Sequence, residues 1–123
     1  MILWLRRWGP AIIVMALIFA ASSIPGSELP KLELWDTLAK KGGHIIGYAL
    51  LGAAFLHALN YGKRFQPGRA VTAFCLIALY AISDEWHQGF TAGRTPSLRD
   101  VFIDAGGGLI GFAFWHVVRT RIL

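Results

Sequence analysis

Apolar residues run along this chain in four blocks, about Trp8 to Ile24, Gly42 to Leu59, Ala70 to Trp86 and Asp100 to Val118, each closed by charges or by proline and glycine. About 20 helical residues cross roughly 30 Å of hydrocarbon, and every block is near that length. The pattern predicts an all-α fold, an integral membrane bundle of four transmembrane helices forming a single domain over residues 1–123. No internal repeat or low-complexity tract points to a second domain. The first block has the outline of a cleavable signal segment, with Arg6 and Arg7 ahead of it and the small residues AASS at its end. The short connection PGSELPKLELWD then leads into another apolar run, so an uncleaved first helix is expected.

Polar residues enter these blocks at helical spacing. Only fourteen uncharged residues separate Arg69 from Asp84, and again fourteen separate Asp104 from Arg119. Neither helix spans a bilayer unless its acids enter it. At 1.5 Å per residue Glu85 stands about 24 Å from Arg69, and Asp104 about 22 Å from Arg119. Lys41, His44 and Tyr48 are three and four apart and share a face, as do Asp100 and Asp104. An ionisable group on lipid costs about 2.5 to 3.5 kcal/mol on insertion scales, so these residues are expected to face the bundle interior. Lys41, His44, Tyr48, Glu85, Gln88, Arg94, Asp100 and Asp104 are thus expected to meet in one pocket. Small residues four apart, Gly43 with Gly47 and Gly107 with Gly111, together with Gly52, predict close helix approach. The run Gly106, Gly107, Gly108 is expected to leave room beside Asp104 for a neighbour or a ligand.

Composition agrees with the pattern: 55% hydrophobic and 15% charged content with a mean hydropathy of +0.52 leave too little polar surface for a soluble domain of this size. A formal charge of +5 raises nucleic acid as a partner, but the bases sit between apolar runs instead of forming a patch with exposed aromatics, and no nucleic acid is expected. Arg6, Arg7, Lys63, Arg64, Arg69, Arg119 and Arg121 fall on one side of the bundle. Lys31, Lys40, Lys41, Arg94, Arg99 and all seven acids fall on the other. By the positive-inside rule both termini are cytoplasmic and the acidic side faces outward. The expected location is the cytoplasmic membrane, multi-pass. The single cysteine, Cys75, lies in an apolar run and excludes a disulfide framework or a thiolate zinc site.

Candidate chemistry collects in DEWHQGFTAGRTPSLRD, Asp84 to Asp100, and in the helix ends around it. Lys41, His44 and Arg94 suit an anionic head group, since arginine offers a bidentate fork to phosphate or carboxylate. The turn AGRTPS adds backbone amides for an anion nest. Glu85, Asp104 and His44 are candidate general acids or bases; Tyr48, Gln88, Ser97 and Asp100 complete a candidate substrate site. His44, Glu85, His87, Asp100 and Asp104 include nitrogen and oxygen donors, but their spacing is that of no dedicated metal motif, and Lys41 and Arg94 oppose a cation. No metal or other cofactor is expected. The competing structural reading pairs Lys41 with Asp100 or Glu85 and Arg94 with Asp104 to fix the bundle. His57 and His116, near the other helix ends, and the five tryptophans near the predicted boundaries read as packing and interfacial residues.

Three segments in order resemble the VanZ-like membrane proteins over nearly the whole chain. FAASSIPG, Phe19 to Gly26, is similar to the family's serine-serine-proline end of helix one. KGGHIIGYALLG carries its lysine, histidine, tyrosine and leucine-glycine at Lys41, His44, Tyr48, Leu51 and Gly52. DEWHQGFTAGRTPSLRDVFIDAGGGLIG resembles the third segment through Glu85, Gln88, Gly93, Arg94, Ser97, Asp100, Asp104, Gly107 and Gly111. The resemblance departs at Asp104, where asparagine stands in many members, and at Gly42 and Gly43, where bulkier apolar residues are common. It implies a cell-envelope protein, the founding member being associated with low-level resistance to the glycopeptide teicoplanin. Membrane lipids and a lipid-linked cell-wall precursor or glycopeptide are the expected partners. Whether the protein is an enzyme, a binding or masking protein or a scaffold stays open at this level.

Overall fold

The computed structural model describes residues 1–24 and 33–122, with side chains for 1–24 and 41–121. The connection around Glu28 and Lys31, Pro25 and Gly26 of the first family segment, and the side chains of Glu33, Trp35, Asp36 and Lys40 lie outside the described residues. Four helices follow one another: α1 (Ile2–Ser22), α2 (Glu33–Asn60), α3 (Pro67–Gln88) and α4 (Leu98–Ile122). Helices α2, α3 and α4 run beyond their apolar blocks at both ends, while α1 starts earlier, at Ile2, and stops at Ser22, short of Ile24. The α2 helix exceeds its block most, starting at Glu33 in the polar segment ELWDTLAKK.

Local chemistry sets the boundaries. Pro67 opens α3, where its missing N–H would lack an intrahelical partner in any case. Gly62 (φ 66°) and Gly93 (φ 73°) supply the left-handed residues of the turns before α3 and before α4. Ser97 precedes α4, and its hydroxyl accepts the Asp100 N–H at 3.1 Å, an N-cap. Pro10 lies inside α1 and cannot donate to the carbonyl of Arg6. That orphan carbonyl accepts a bond from His57 Nε2 at 3.3 Å, which gives the histidine a structural task.

Contacts at the helix ends give an up-and-down bundle. Arg7 Nε donates to the Ala58 carbonyl at 2.6 Å, and Arg119 donates to the carbonyls of Asn60 and Lys63. The start of α1 and the end of α4 therefore share the end of the bundle where α2 finishes. The core between the helices is small and apolar, with Ala11, Leu51, Ala54, Phe55, Leu56, Ala73, Ile77 and Ala81 buried. Leu3, Ile13, Leu17, Val71, Leu79, Ile82, Phe102, Ile110 and Phe114 point outward and are exposed. Large apolar side chains over the whole circumference suit a lipid solvent. Helix α1, the Lys41–Asn60 part of α2, and α4 are each long and apolar enough to cross a membrane.

The α2 and α4 helices pack most closely. A Cβ placed on Gly111 would strike the Ala49 carbonyl, one on Gly52 the Gly108 carbonyl, and one on Gly107 would lie 2.8 Å from the Ile45 carbonyl oxygen. Backbone meets backbone along this seam, as the small-residue spacing predicts. Gly43 takes no part, having open space where its Cβ would lie, because it turns off the face that α4 covers. Gly107 and Gly108 admit Ile45, Tyr48 and Ile77 from neighbouring helices, while Gly106 meets nothing within 4 Å. The room left by these glycines is thus taken by helices rather than held for a ligand.

Candidate functional site

At the end of the bundle opposite Arg7 and Arg119, four helices bring their polar residues to one level. Lys41, His44, Gln88, Arg94, Asp100, Ile103 and Asp104 line a cavity of about 160 Å³. Six of the eight residues expected in one pocket are present there. Tyr48 lies beneath it, fully buried, and its hydroxyl donates to Asp84 Oδ2 at 2.9 Å. Its ring stacks under that of His44, with centroids 6.2 Å apart. The face predicted from Lys41, His44 and Tyr48 therefore runs from cavity rim to core.

The centre of the site is the contact of His44 Nδ1 with Asp104 Oδ1 at 3.0 Å, joining α2 to α4. Asp104 is 1% exposed, and its second oxygen, Oδ2, is buried without a hydrogen-bond partner. Gln88 Nε2 donates to the buried Ser22 Oγ at 3.3 Å, closing the cavity floor against α1. Arg94 lines the cavity, but its guanidinium donates to the carbonyls of Ile24 and Ala21 at 3.1 and 3.3 Å. Those carbonyls lie at the end of α1, where a cation is favoured by the helix dipole, and Ala21 also accepts the Ile24 N–H. Arg94 thus fastens the loop before α4 to α1.

Glu85 goes elsewhere. Neighbours on a helix point about 100° apart, so Asp84 turns toward Tyr48 while Glu85 turns toward the start of α4. Its Oε2 accepts the Ser97 N–H at 3.0 Å. In a capping box the acid three residues into the helix would take that N–H; here Glu85 of α3 does so, and the Asp100 side chain is left to the cavity. Glu85 and Ser97 face a separate groove, with Ile82, Trp86, Phe90, Pro96, Leu98 and Val101 as its walls. Glu85 Oε1 is buried there without a partner. Ser97 is occupied as a cap through both its hydroxyl and its N–H, so its expected place in the substrate pocket is not what the structure gives.

The structural pairing expected for the charges does not form among the described residues. Arg94 binds carbonyls rather than Asp104, Asp104 binds His44, and Glu85 binds a backbone amide. Asp84 and Ser22 are the participants that the sequence reading passed over. For Asp84 a signal existed: Tyr80, Asp84 and Gln88 are four apart and continue the buried line of Ala73 and Ile77. Ser22 carried no such mark. Its neighbour Ser23 bonds the Phe19 carbonyl and His87 Nε2, and Phe19 stacks on His87 at 4.4 Å, so His87 belongs to the α1–α3 contact and not to the cavity.

The arrangement offers a half-exposed imidazole oriented by a buried carboxylate, a lysine at the rim and amide and carboxyl groups around a small space. Comparison with curated proteins and with solved structures finds no match. A family model does match, described as VanZ/LLP1 and aligned to residues 8–119. With nearly the whole chain covered, and with the lysine, histidine and aspartates of the family segments gathered at one end of its helices, this chain belongs to the VanZ/LLP1 family of membrane proteins.

Proposed function

We propose that the cavity at the acidic end receives the polar head group of a lipid or lipid-linked cell-wall precursor, and that His44, oriented by Asp104, moves a proton there. The observation that carries this reading is the His44–Asp104 pair at the cavity, with its carboxylate buried behind the ring. A carboxylate behind an imidazole fixes its tautomer and direction, which is what a general base needs. Lys41 at the rim suits the negative charge of a phosphate. Glu85 is a further candidate acid, acting at the groove rather than in the cavity. The apolar circumference admits the tail of such a molecule to lie in the bilayer while its head reaches the polar end.

In this reading α3, whose 22 residues extend about 33 Å, is a fourth span. Both termini lie on the cytoplasmic side of the cytoplasmic membrane, and the cavity opens outward. Support comes from the termini meeting at the end that holds Arg7, Arg69 and Arg119. Changing an outer-leaflet precursor would lower susceptibility to glycopeptides, which is the consequence that the family resemblance suggests.

The test is mass spectrometry of lipid extracts from membranes with the wild-type protein, without it, and with His44→Gln or Glu85→Gln at equal abundance. A lipid species that changes with the wild type and not with His44→Gln supports proton transfer at the cavity. Identical extracts in all four, together with precursor binding to the purified protein, would replace the enzyme by a binding or masking protein. Loss of folded protein in both variants would make the charges a scaffold.

A further inference from the structure

We infer that His44, Asp84 and Asp104 form a binding site for a first-row divalent cation, reached from the cavity. One nitrogen of His44 and one carboxylate oxygen from each aspartate lie within 4.8 Å of one another. Donors about 2.0 to 2.2 Å from a tetrahedral cation stand roughly 3.3 to 3.6 Å apart. His44 Nδ1 and Asp104 Oδ1 are already at 3.0 Å, and the cluster closes around such an ion by an approach of at most about 1.5 Å between its more distant donors. These donors come from three different helices, α2, α3 and α4, so no spacing within one segment could announce them.

Two features beyond proximity point to a ligand. The first is that Asp104 Oδ2 is buried with no partner, on a residue only 1% exposed. The second is that neither carboxylate is paired with a lysine or arginine among the described residues. Asp84, 4% exposed, has the Tyr48 hydroxyl as its bonded partner, and Asp104 has His44. Among the described residues no lysine or arginine forms an ion pair with either carboxylate. The two bases that argue against a cation in the sequence are disposed otherwise: Arg94 is engaged by carbonyls of α1, and Lys41 stands at the cavity wall. Two carboxylates withdrawn from water beside one imidazole call for positive charge.

The donor set narrows the ion. Imidazole nitrogen with two carboxylates suits zinc or manganese, and disfavours calcium, which takes six to eight oxygens. The Tyr48 hydroxyl on Asp84 is the outer partner that holds a ligating carboxylate in place. Three protein donors leave coordination positions open, as in sites that bind water or substrate rather than in closed structural ones. The site lies at the floor of the cavity proposed for the head group and takes His44 as a ligand, so a chain holding the cation has that imidazole committed to metal and not to proton transfer; the binding is measured without lipid.

The experiment uses the full chain, purified in detergent and stripped with a chelator. Mn²⁺ is titrated by the loss of its free-ion spin-resonance signal, and Zn²⁺ is measured by equilibrium dialysis with elemental analysis. One cation per chain is expected for the wild type. Asp104→Asn, Asp84→Asn and His44→Gln are expected to bring binding below detection at millimolar metal, and Tyr48→Phe to weaken it about tenfold. Asp100→Asn, which lines the cavity outside the cluster, is expected to bind as the wild type does. Circular dichroism and gel filtration establish that each variant is folded; if an aspartate variant is not, the half-exposed His44→Gln decides. No binding by folded wild type overturns the inference. Binding that survives His44→Gln and the aspartate variants overturns it, as does an equal loss in Asp100→Asn, which would mean diffuse attraction to an acidic end.

Discussion

At the end of the bundle holding the chain termini, three arginines finish on backbone. Arg7 bonds the Ala58 carbonyl, Arg69 the Arg64 carbonyl and the Asn60 side chain, and Arg119 the Asn60 and Lys63 carbonyls. Asn60 itself bonds the Leu56 carbonyl. Positive charge there meets the negative end of the α2 dipole and satisfies oxygens that the helix leaves over. At the opposite end Glu85 Oε1 and Asp104 Oδ2 are buried without a partner, Asp104 at the cavity and Glu85 at the separate groove. Both ends have a cavity, the one at the arginine end lined by His57, Asn60, Tyr61 and Arg119; the difference is that buried acceptors without a partner occur at the acidic end. The contrast separates charges that hold a membrane bundle together from charges that are available to something else.

The sharpest way to break this comparison is to change one group at each end. His44→Gln is expected to lower conversion of the affected lipid species by about 10²- to 10⁴-fold, the usual worth of a general acid or base. Arg119→Gln, at abundance matched to wild type, is expected to leave that conversion intact. Equal losses in both, measured in the same lipid extracts, would erase the distinction.

Smaller effects sharpen it through stability. Tyr48→Phe removes the donor to Asp84 Oδ2 in the core and is expected to cost about 1–3 kcal/mol, as an unsatisfied buried acceptor does. Thermal unfolding in detergent measures it. Gly111→Ala, whose Cβ meets the Ala49 backbone, is expected to destabilise by a similar about 1–3 kcal/mol of overpacking, whereas Gly106→Ala, with open space around it, is expected to be neutral or slightly stabilising. Arg119→Gln itself is expected to lower stability least, by about 0.5–1.5 kcal/mol, since water at the bundle end can replace a lost bond to a carbonyl.

Much of this contrast is readable before any coordinates. Four apolar blocks specify four helices, and residues three and four apart specify which side chains share a face, so Lys41, His44, Asp100 and Asp104 come out together. Periodicity fails where a contact joins helices. It sets Asp84 on the line of Tyr80 and Gln88 and Glu85 off it, but not which neighbour each meets until the packing of α3 against α2 and α4 is known. Nor can it foresee that Arg94 serves the end of α1, or that Ser97 is consumed as a cap by an acid from another helix. The sequence reads His57 as a packing residue, but its partner, the carbonyl freed by Pro10, lies 51 residues away in the chain. Which charges are spoken for by backbone is a property of the assembled bundle.

The α2–α4 seam has a mechanical consequence. Where Gly52, Gly107 and Gly111 let two backbones touch, there is no side chain between them to change rotamer and yield. The two helices move as one stiff body, and the gap between His44 and Asp104 is gauged by it. Helices α1 and α3, which touch each other least of the contacting pairs, carry Ser22, Asp84 and Gln88 on the other side. The cavity therefore has one side fixed by backbone contact and another joined through the side chains of Ser22 and Gln88.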